Sequence, residues 1–245
     1  MSNINESLTR WNKSEPFELQ VARGQIRGHQ SLNISGYQAS VDGAYIPIWE
    51  NATAYTYPTS AIQMTLFSSS ASDTAVSILI NGLDANYDPI SETLVLTNGT
   101  TGVTTVKSYF RINSIAVTGT VNPVGTISLT NSAKTVTYAK ITNGNGRSAM
   151  TVYTVPRGYT FYLAKVNCYT HSSNNQLTTY RAYTINPNGI VNAVLQAPFT
   201  DVYISDKSVP RPYVEKTDCQ WQCTSTQISS IGLQIEGILI KNEDI

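Results

Sequence analysis

The sequence predicts an all-β protein made of two antiparallel β-sandwich or jelly-roll-like domains that follow a short N-terminal arm. Apolar residues recur at every second position from the first quarter of the chain to its end. Clusters of Gly, Asn, Pro and Ser separate these short runs, as turns separate strands. After residue 16, no segment keeps a helical period for three turns, so the strand–helix alternation of a parallel α/β enzyme is missing.

The first sixteen residues are predicted to form a polar arm. Its isolated apolar residues Ile4, Leu8 and Trp11 are too few for a core, although their i, i+4, i+7 spacing permits a short docking helix. We expect the arm to be extended and to become ordered against a neighbouring chain.

A boundary between two sandwiches is predicted at residues 143–146, where the sequence is Asn-Gly-Asn-Gly. This is the segment with the strongest turn composition in the middle of the chain. The first sandwich is therefore predicted to span residues 17–142 and the second residues 147–245.

Local sequence patterns predict individual strands and turns within the first sandwich. Residues 92–97 alternate as a strand, and Asn98-Gly99 is a favoured tight-turn pair, so residues 103–107 are expected to form the returning strand. Residues 109–118 also have the pattern of a strand, but their apolar positions change from even to odd numbers midway. A β-bulge, which inserts one extra residue into a strand, accounts for this change.

The composition argues against several classes of partner. Charged residues are 13% of the chain, with sixteen basic and sixteen acidic side chains, against roughly 25% charged in an average protein. No dense Lys/Arg run suggests nucleic-acid binding, and no run of about 20 apolar residues suggests a membrane helix. Residues 1–16 lack the apolar segment of a secretory signal, so synthesis in a host cytoplasm is expected.

The three cysteines, Cys168, Cys219 and Cys223, do not suggest a disulfide framework. In a straight strand the Cα atoms of Cys219 and Cys223 would lie about 13 Å apart, whereas a disulfide needs less than about 7 Å. We expect both of them to face an apolar core together with Trp221. The residues between and before them are expected to point outward: Asp218, Gln220 and Gln222.

Catalytic and metal-binding patterns are scarce, so no catalytic residue, cofactor or metal ligand is predicted. His29 and His171 are the only histidines, and each is interpreted as a solvated or hydrogen-bonded residue. No nucleophile, zinc or phosphate-loop motif is found.

Two carboxylate pairs bracket predicted strands: Asp42 with Glu50, and Asp201 with Asp206. A glycosidase uses a pair of carboxylates, which can come from distant positions in the chain. Nothing in the sequence forces either pair together. We therefore expect a protein without enzyme activity.

Asp84, Asn86 and Asp88 have the alternate spacing of a calcium-binding loop. An EF-hand loop also needs Gly at its sixth position and a carboxylate at its twelfth, where this sequence has Pro89 and Val95. A polar hairpin turn is the favoured interpretation.

Fifteen tyrosines raise the question of interfaces and sugar-binding surfaces, because Tyr combines an apolar ring with a polar tip. Two clusters stand out along the chain: Tyr45, Trp49, Tyr55 and Tyr57, and then Tyr153, Tyr159, Tyr162 and Tyr169. For any one of these residues, a place in a sandwich core is the favoured alternative.

Four segments resemble virion proteins of tailed bacteriophages: FELQVARGQIRGHQSLNISGY leading into PIWE, ILINGLDANYDPISETLVL with VTTVKSYFRINSIAV, RSAMTVYTVPRGYTFYLAKV, and VEKTDCQWQC with IGLQIEGILI. The resemblance implies a non-enzymatic structural component of the virion, such as a decoration or appendage protein of the head or tail. It also implies a homo-oligomer, trimeric or larger, in contact with other virion proteins. The alternative is a tail fibre or receptor-binding module that recognises a host-surface glycan.

Overall fold

The computed structural model describes residues 15–51, 53–171, 176–195 and 198–244, and within them the chain is nearly all β. The predicted all-β class of antiparallel sandwiches is confirmed. The described strands are β1 (His29–Val41), β2 (Ile46–Pro47), β3 (Thr65–Ser68), β4 (Val76–Leu83), β5 (Pro89–Leu96), β6 (Val103–Thr104), β7 (Arg111–Thr118), β8 (Ile127–Thr130), β9 (Thr137–Ile141), β10 (Val152–Thr154), β11 (Tyr159–His171), β12 (Thr178–Ile185), β13 (Val191–Leu195), β14 (Val202–Tyr213), β15 (Asp218–Ser225) and β16 (Ser229–Lys241).

A short helix, α1 (Phe17–Ala22), precedes β1, and a single 3-10 turn (Asn242–Asp244) follows β16. The helix ends where Gly24 adopts a positive φ of 68°. Six residues are too few to reveal a helical period, which explains why the sequence pattern missed α1. The predicted arm lies outside the described residues, apart from its last two positions.

Four antiparallel sheets form two sandwiches. Sheet A has the order β1-β16-β11-β14, and sheet B has the order β10-β15-β12-β13 with β2 beside β15. Their facing side chains share one core, here core 1, which includes Ile34, Phe161 and Trp221. Sheet C (β6-β3-β8-β9) and sheet D (β5-β4-β7) enclose core 2, which includes Leu66 and Ile78.

The course of the chain differs from the predicted division at residues 143–146. Core 2 takes its buried residues from Trp49 to Val152, whereas core 1 takes them from Ile34 to Ile48 and then from Tyr153 onward. Strands β1 and β2 were assigned to the first sandwich, yet they pair with β16 and β15. Alternation identifies β1 as a strand but does not name its partner, so residues 29–48 were placed in the wrong sandwich. Whether the two sandwiches are separate domains stays a prediction.

The predicted bulge in residues 109–118 is confirmed. Asn81 pairs with Ser114 and Gly82 with Ile112, which leaves Asn113 as the extra residue of β7. The Asn113 side chain donates to the Thr154 carbonyl (3.0 Å) and accepts from the Thr154 amide (2.9 Å). The bulge therefore joins sheet D to sheet B.

A buried ion pair reinforces this junction. Arg111 of β7 contacts Asp218 of β15 through two hydrogen bonds, Nε to Oδ1 at 2.8 Å and Nη2 to Oδ2 at 2.9 Å. Both side chains are 8% exposed. The Thr154 hydroxyl donates to Asp218 Oδ1 at 2.6 Å, and Arg111 Nη1 donates to the Pro58 carbonyl at 3.2 Å. The pair therefore links β7 of one sandwich to β15 of the other, and each buried charge has a partner of opposite charge.

Candidate functional surfaces

The outer face of sheet A carries a row of exposed apolar side chains. In that row Tyr37 of β1, Gly232 of β16, Tyr169 of β11 and Val202 of β14 are direct register partners. Ile204 extends the row along β14. The exposed fractions are 50% for Tyr37, 44% for Tyr169, 44% for Val202 and 55% for Ile204. We call these four side chains the outer patch.

A polar border limits the outer patch on one side. Asn167, opposite Ile204, is 7% exposed, and its Oδ1 has no hydrogen-bond partner among the described residues. Farther along the sheet, Lys165 Nζ lies 3.5 Å from Asp206 Oδ1. An apolar centre with a polar rim is the usual anatomy of a protein–protein interface.

The outer face of sheet B carries a different feature, a groove of about 280 Å³. Strands β12 and β15 supply its floor, because Arg181 pairs with Gln222 and Tyr183 with Gln220 on the outward side. Its walls come from the segment around β2 and the loop after it. We call it the tyrosine groove, and its lining includes Tyr45, Tyr55, Tyr57, Arg181, Tyr183, Gln220 and Gln222.

The groove includes part of the first predicted tyrosine cluster. Tyr45, Tyr55 and Tyr57 line it, while Trp49 is buried in core 2 with its ring 5.1 Å from that of Tyr55. Sequence reasoning missed Arg181 and Tyr183. Their outward alternation in β12 was visible, but the register that places them beside Gln222 and Gln220 was not.

The second predicted cluster does not form one site. Tyr169 belongs to the outer patch, and Tyr153 is buried in core 1. Tyr153 and Tyr159 also line a cleft of about 500 Å³ between the sandwiches, and Arg147 is the one charged side chain among the described residues that line it. Tyr162 is half-buried on sheet A.

His29 contacts neighbouring residues, whereas His171 is exposed to solvent. His29 Nδ1 lies 2.8 Å from the Arg27 carbonyl oxygen, and its ring contacts Phe17 edge-on at 6.0 Å. His171 ends β11 and is exposed.

The predicted carboxylate pairs have separate contacts. Glu50 accepts hydrogen bonds from the Thr142 amide (3.1 Å), the Asn145 side chain (2.9 Å) and the Ala149 amide (3.3 Å). Asp206 faces Lys165, and Asp42 is exposed. Glu50 therefore fastens residues 142–149 to the loop after β2.

The candidate calcium segment is a hairpin turn, as favoured from the sequence. Asp84 Oδ1 accepts hydrogen bonds from the amides of Asn86 (2.8 Å) and Asp88 (2.9 Å), between β4 and β5. The Asp88 carboxylate binds Arg157 through Nε at 2.8 Å and Nη2 at 2.7 Å. Within the described residues, no three His, Cys, Asp or Glu side chains are placed to hold a metal ion.

The three thiols lie in core 1, and the prediction for the inward side of β15 is confirmed. Asp218, Gln220 and Gln222 lie on the opposite side as predicted, but each is only 6% exposed, because Arg111 and the residues of the groove cover them. Cys219, Trp221 and Cys223 face the core. Cys168 Sγ lies 3.6 Å from Cys223 Sγ, so these thiols meet between sheets A and B. Burial raises the pKa of Cys219 and of Cys223 well above the ordinary thiol value, which keeps both thiols protonated and unreactive.

Comparisons with known proteins do not identify a family for this chain. The sequence matches no protein-family model and no curated protein. Among solved structures, the chain is similar to one described as the structure of infectious bursal disease virus Gt strain, with 10% identity over 94% of this chain and 79% of that chain. The TM-score is 0.27, too low to support an argument. In the described part of the chain, no helix is long and apolar enough to cross a membrane.

Proposed function

We propose that this chain is a non-enzymatic structural protein of a tailed-bacteriophage virion that assembles into a homo-oligomer through the outer face of sheet A. The observation that carries the proposal is the outer patch. Tyr37, Tyr169, Val202 and Ile204 expose between 44% and 55% of their surface on neighbouring strands of one sheet. A cluster of this kind is expected to be covered in the working protein.

The composition of the chain supports assembly. Its low charge reduces the cost of desolvating a large surface between subunits. The placement on a head or tail, as a decoration or appendage protein, rests on the resemblance of the sequence to virion proteins.

Sedimentation of matched double variants tests the proposal. Wild-type protein is expected to sediment as an oligomer at micromolar concentration. Val202→Lys with Ile204→Lys should give a folded monomer, because two charges enter the patch that must be desolvated.

Val106→Lys with Val124→Lys is the control, since these side chains are 81% and 59% exposed on the other sandwich. It should sediment like the wild type. A monomeric wild type, or an oligomer unaffected by the first pair, contradicts the proposal. Finding the chain by mass spectrometry in purified particles tests its place in the virion.

A receptor-binding module of a tail fibre is the second candidate function. The tyrosine groove is the observation that favours it, because it combines aromatic rings with hydrogen-bonding side chains on an open surface.

A further inference from the structure

The floor of the tyrosine groove is a preorganised polar chain. Arg181 Nε donates to Gln222 Oε1 at 2.7 Å, and Gln222 Nε2 donates to Gln220 Oε1 at 2.6 Å. Gln220 and Gln222 are each 6% exposed. This series of hydrogen bonds uses only the Nε atom of the Arg181 guanidinium group. The two terminal nitrogens of Arg181 have no hydrogen-bond partner among the described residues.

Aromatic rings hold the guanidinium group in place. The Arg181 Cζ atom lies 4.0 Å from the centre of the Tyr45 ring and 5.3 Å from that of Tyr183. Such cation–π contacts fix the plane of the group without using its donors. Tyr45 and Tyr183 are themselves half-buried, so part of each ring stays open to the groove.

The size and charge of the groove select the ligand class. A volume of about 280 Å³ suits one or two sugar rings, whereas a stable protein interface needs about 800 Å² from each partner. Among the described residues that line the groove, Arg181 is the only charged one, and none is an acid. The nearby Asp218 is already paired with Arg111.

We propose that the tyrosine groove binds an acidic saccharide. Its carboxylate accepts hydrogen bonds from the two terminal nitrogens of Arg181, its ring lies against Tyr45 or Tyr183, and its hydroxyls reach the glutamine floor. This deepens the second candidate function and is independent of assembly through the outer patch.

Ligand-observed NMR with glucuronic acid and glucose tests the proposal on the whole protein. Wild-type protein should bind glucuronic acid, and glucose at least about tenfold more weakly, because glucose lacks the carboxylate. Arg181→Gln should remove this preference. Tyr45→Ser, a change at a half-exposed position, should weaken binding of both sugars.

The matched control is Arg147→Gln, which removes an exposed arginine from the cleft between the sandwiches and should leave binding unchanged. Thermal melting verifies that each variant is folded. No binding of glucuronic acid by the wild type overturns the proposal, as does equal binding by wild type, Arg181→Gln and Tyr45→Ser. The proposal is also overturned if the wild type binds no sugar and the folded Arg181→Gln variant has a different oligomer mass. That result would assign the groove to contacts between protein subunits. Loss of assembly in the Lys variants of the outer patch tests the assembly proposal alone.

Discussion

The two outer faces of the sandwich formed by sheets A and B place their tyrosines in different surroundings. On sheet A, Tyr37 and Tyr169 stand in a flat row beside Val202, with no charged side chain in the patch. On sheet B, Tyr45 and Tyr183 flank Arg181 within a concave groove. The neighbours of these tyrosines, and not their exposure, are therefore the reason that we propose a subunit surface on sheet A and a ligand site on sheet B.

The difference arises from what covers each sheet. Residues that lead from β2 into core 2 pass over the edge of sheet B and place Tyr55 and Tyr57 beside Gln220 and Gln222. Among the described residues, no comparable segment crosses the middle of sheet A, where Gly232 has open space above it.

The largest change in the free energy of unfolding is expected from removing Asp218, which pairs with Arg111 beneath the groove and lies away from the outer patch. Asp218→Ala should lower the free energy of unfolding by about 3–5 kcal/mol, because it leaves the Arg111 guanidinium buried without a counter-charge. Arg111 also lies 4.7 Å from the ring of Tyr57. Unfolding curves in guanidinium chloride measure this loss of stability.

Asp206→Ala is the matched control, since this carboxylate is 71% exposed and makes an ion pair at the surface. It should change stability by about 0–1 kcal/mol. Equal stability of the Asp218→Ala and Asp206→Ala variants would show that the junction does not hold the sandwiches together.

A smaller, pH-dependent effect on stability is expected at Asp73, in the sandwich of sheets C and D and away from both surfaces. The carboxylate of Asp73, 1% exposed, accepts hydrogen bonds from the Ser68 hydroxyl and from the amides of Val124 (2.7 Å) and Gly125 (3.0 Å). Burial alone would raise its pKa, but these three hydrogen bonds outweigh burial and lower it. The ionised form is therefore favoured by folding.

Asp73→Asn should cost about 1–3 kcal/mol at neutral pH. A carboxyl group with a lowered pKa in the folded state stabilises the fold above its unfolded pKa of about 3.9, and this contribution disappears as the pH falls through the folded pKa. The difference between wild type and variant should therefore shrink in acid, as unfolding curves over a pH series would reveal. A constant difference would contradict the assignment. Assembly and sugar binding should stay unchanged, since neither surface involves Asp73.

Much of the fold can be predicted from local patterns. Alternation in β15 identifies which side of the strand faces the core, and the change of parity in residues 109–118 predicts the bulge that the structure places at Asn113. Such features depend only on neighbouring residues and on the two-residue period of a strand.

Features that depend on distant pairing could not be predicted. Asn98-Gly99 suggested a hairpin, yet β6 pairs with β3 and not with β5. The Gly99 carbonyl accepts from the Ser68 amide at 2.7 Å, so the chain crosses to the opposite sheet at this turn. The groove was missed for the same reason, because Tyr45, Arg181 and Gln222 meet only through the register of three strands.

Hydroxyl-radical footprinting of individual tyrosines in the oligomer and in the dissociated protein compares the two surfaces directly. Tyr37 and Tyr169 should lose most of their reactivity when subunits assemble, whereas Tyr45 and Tyr183 should keep theirs. Unchanged reactivity of Tyr37 and Tyr169, or protection of the groove tyrosines in their place, would contradict assembly through the outer face of sheet A.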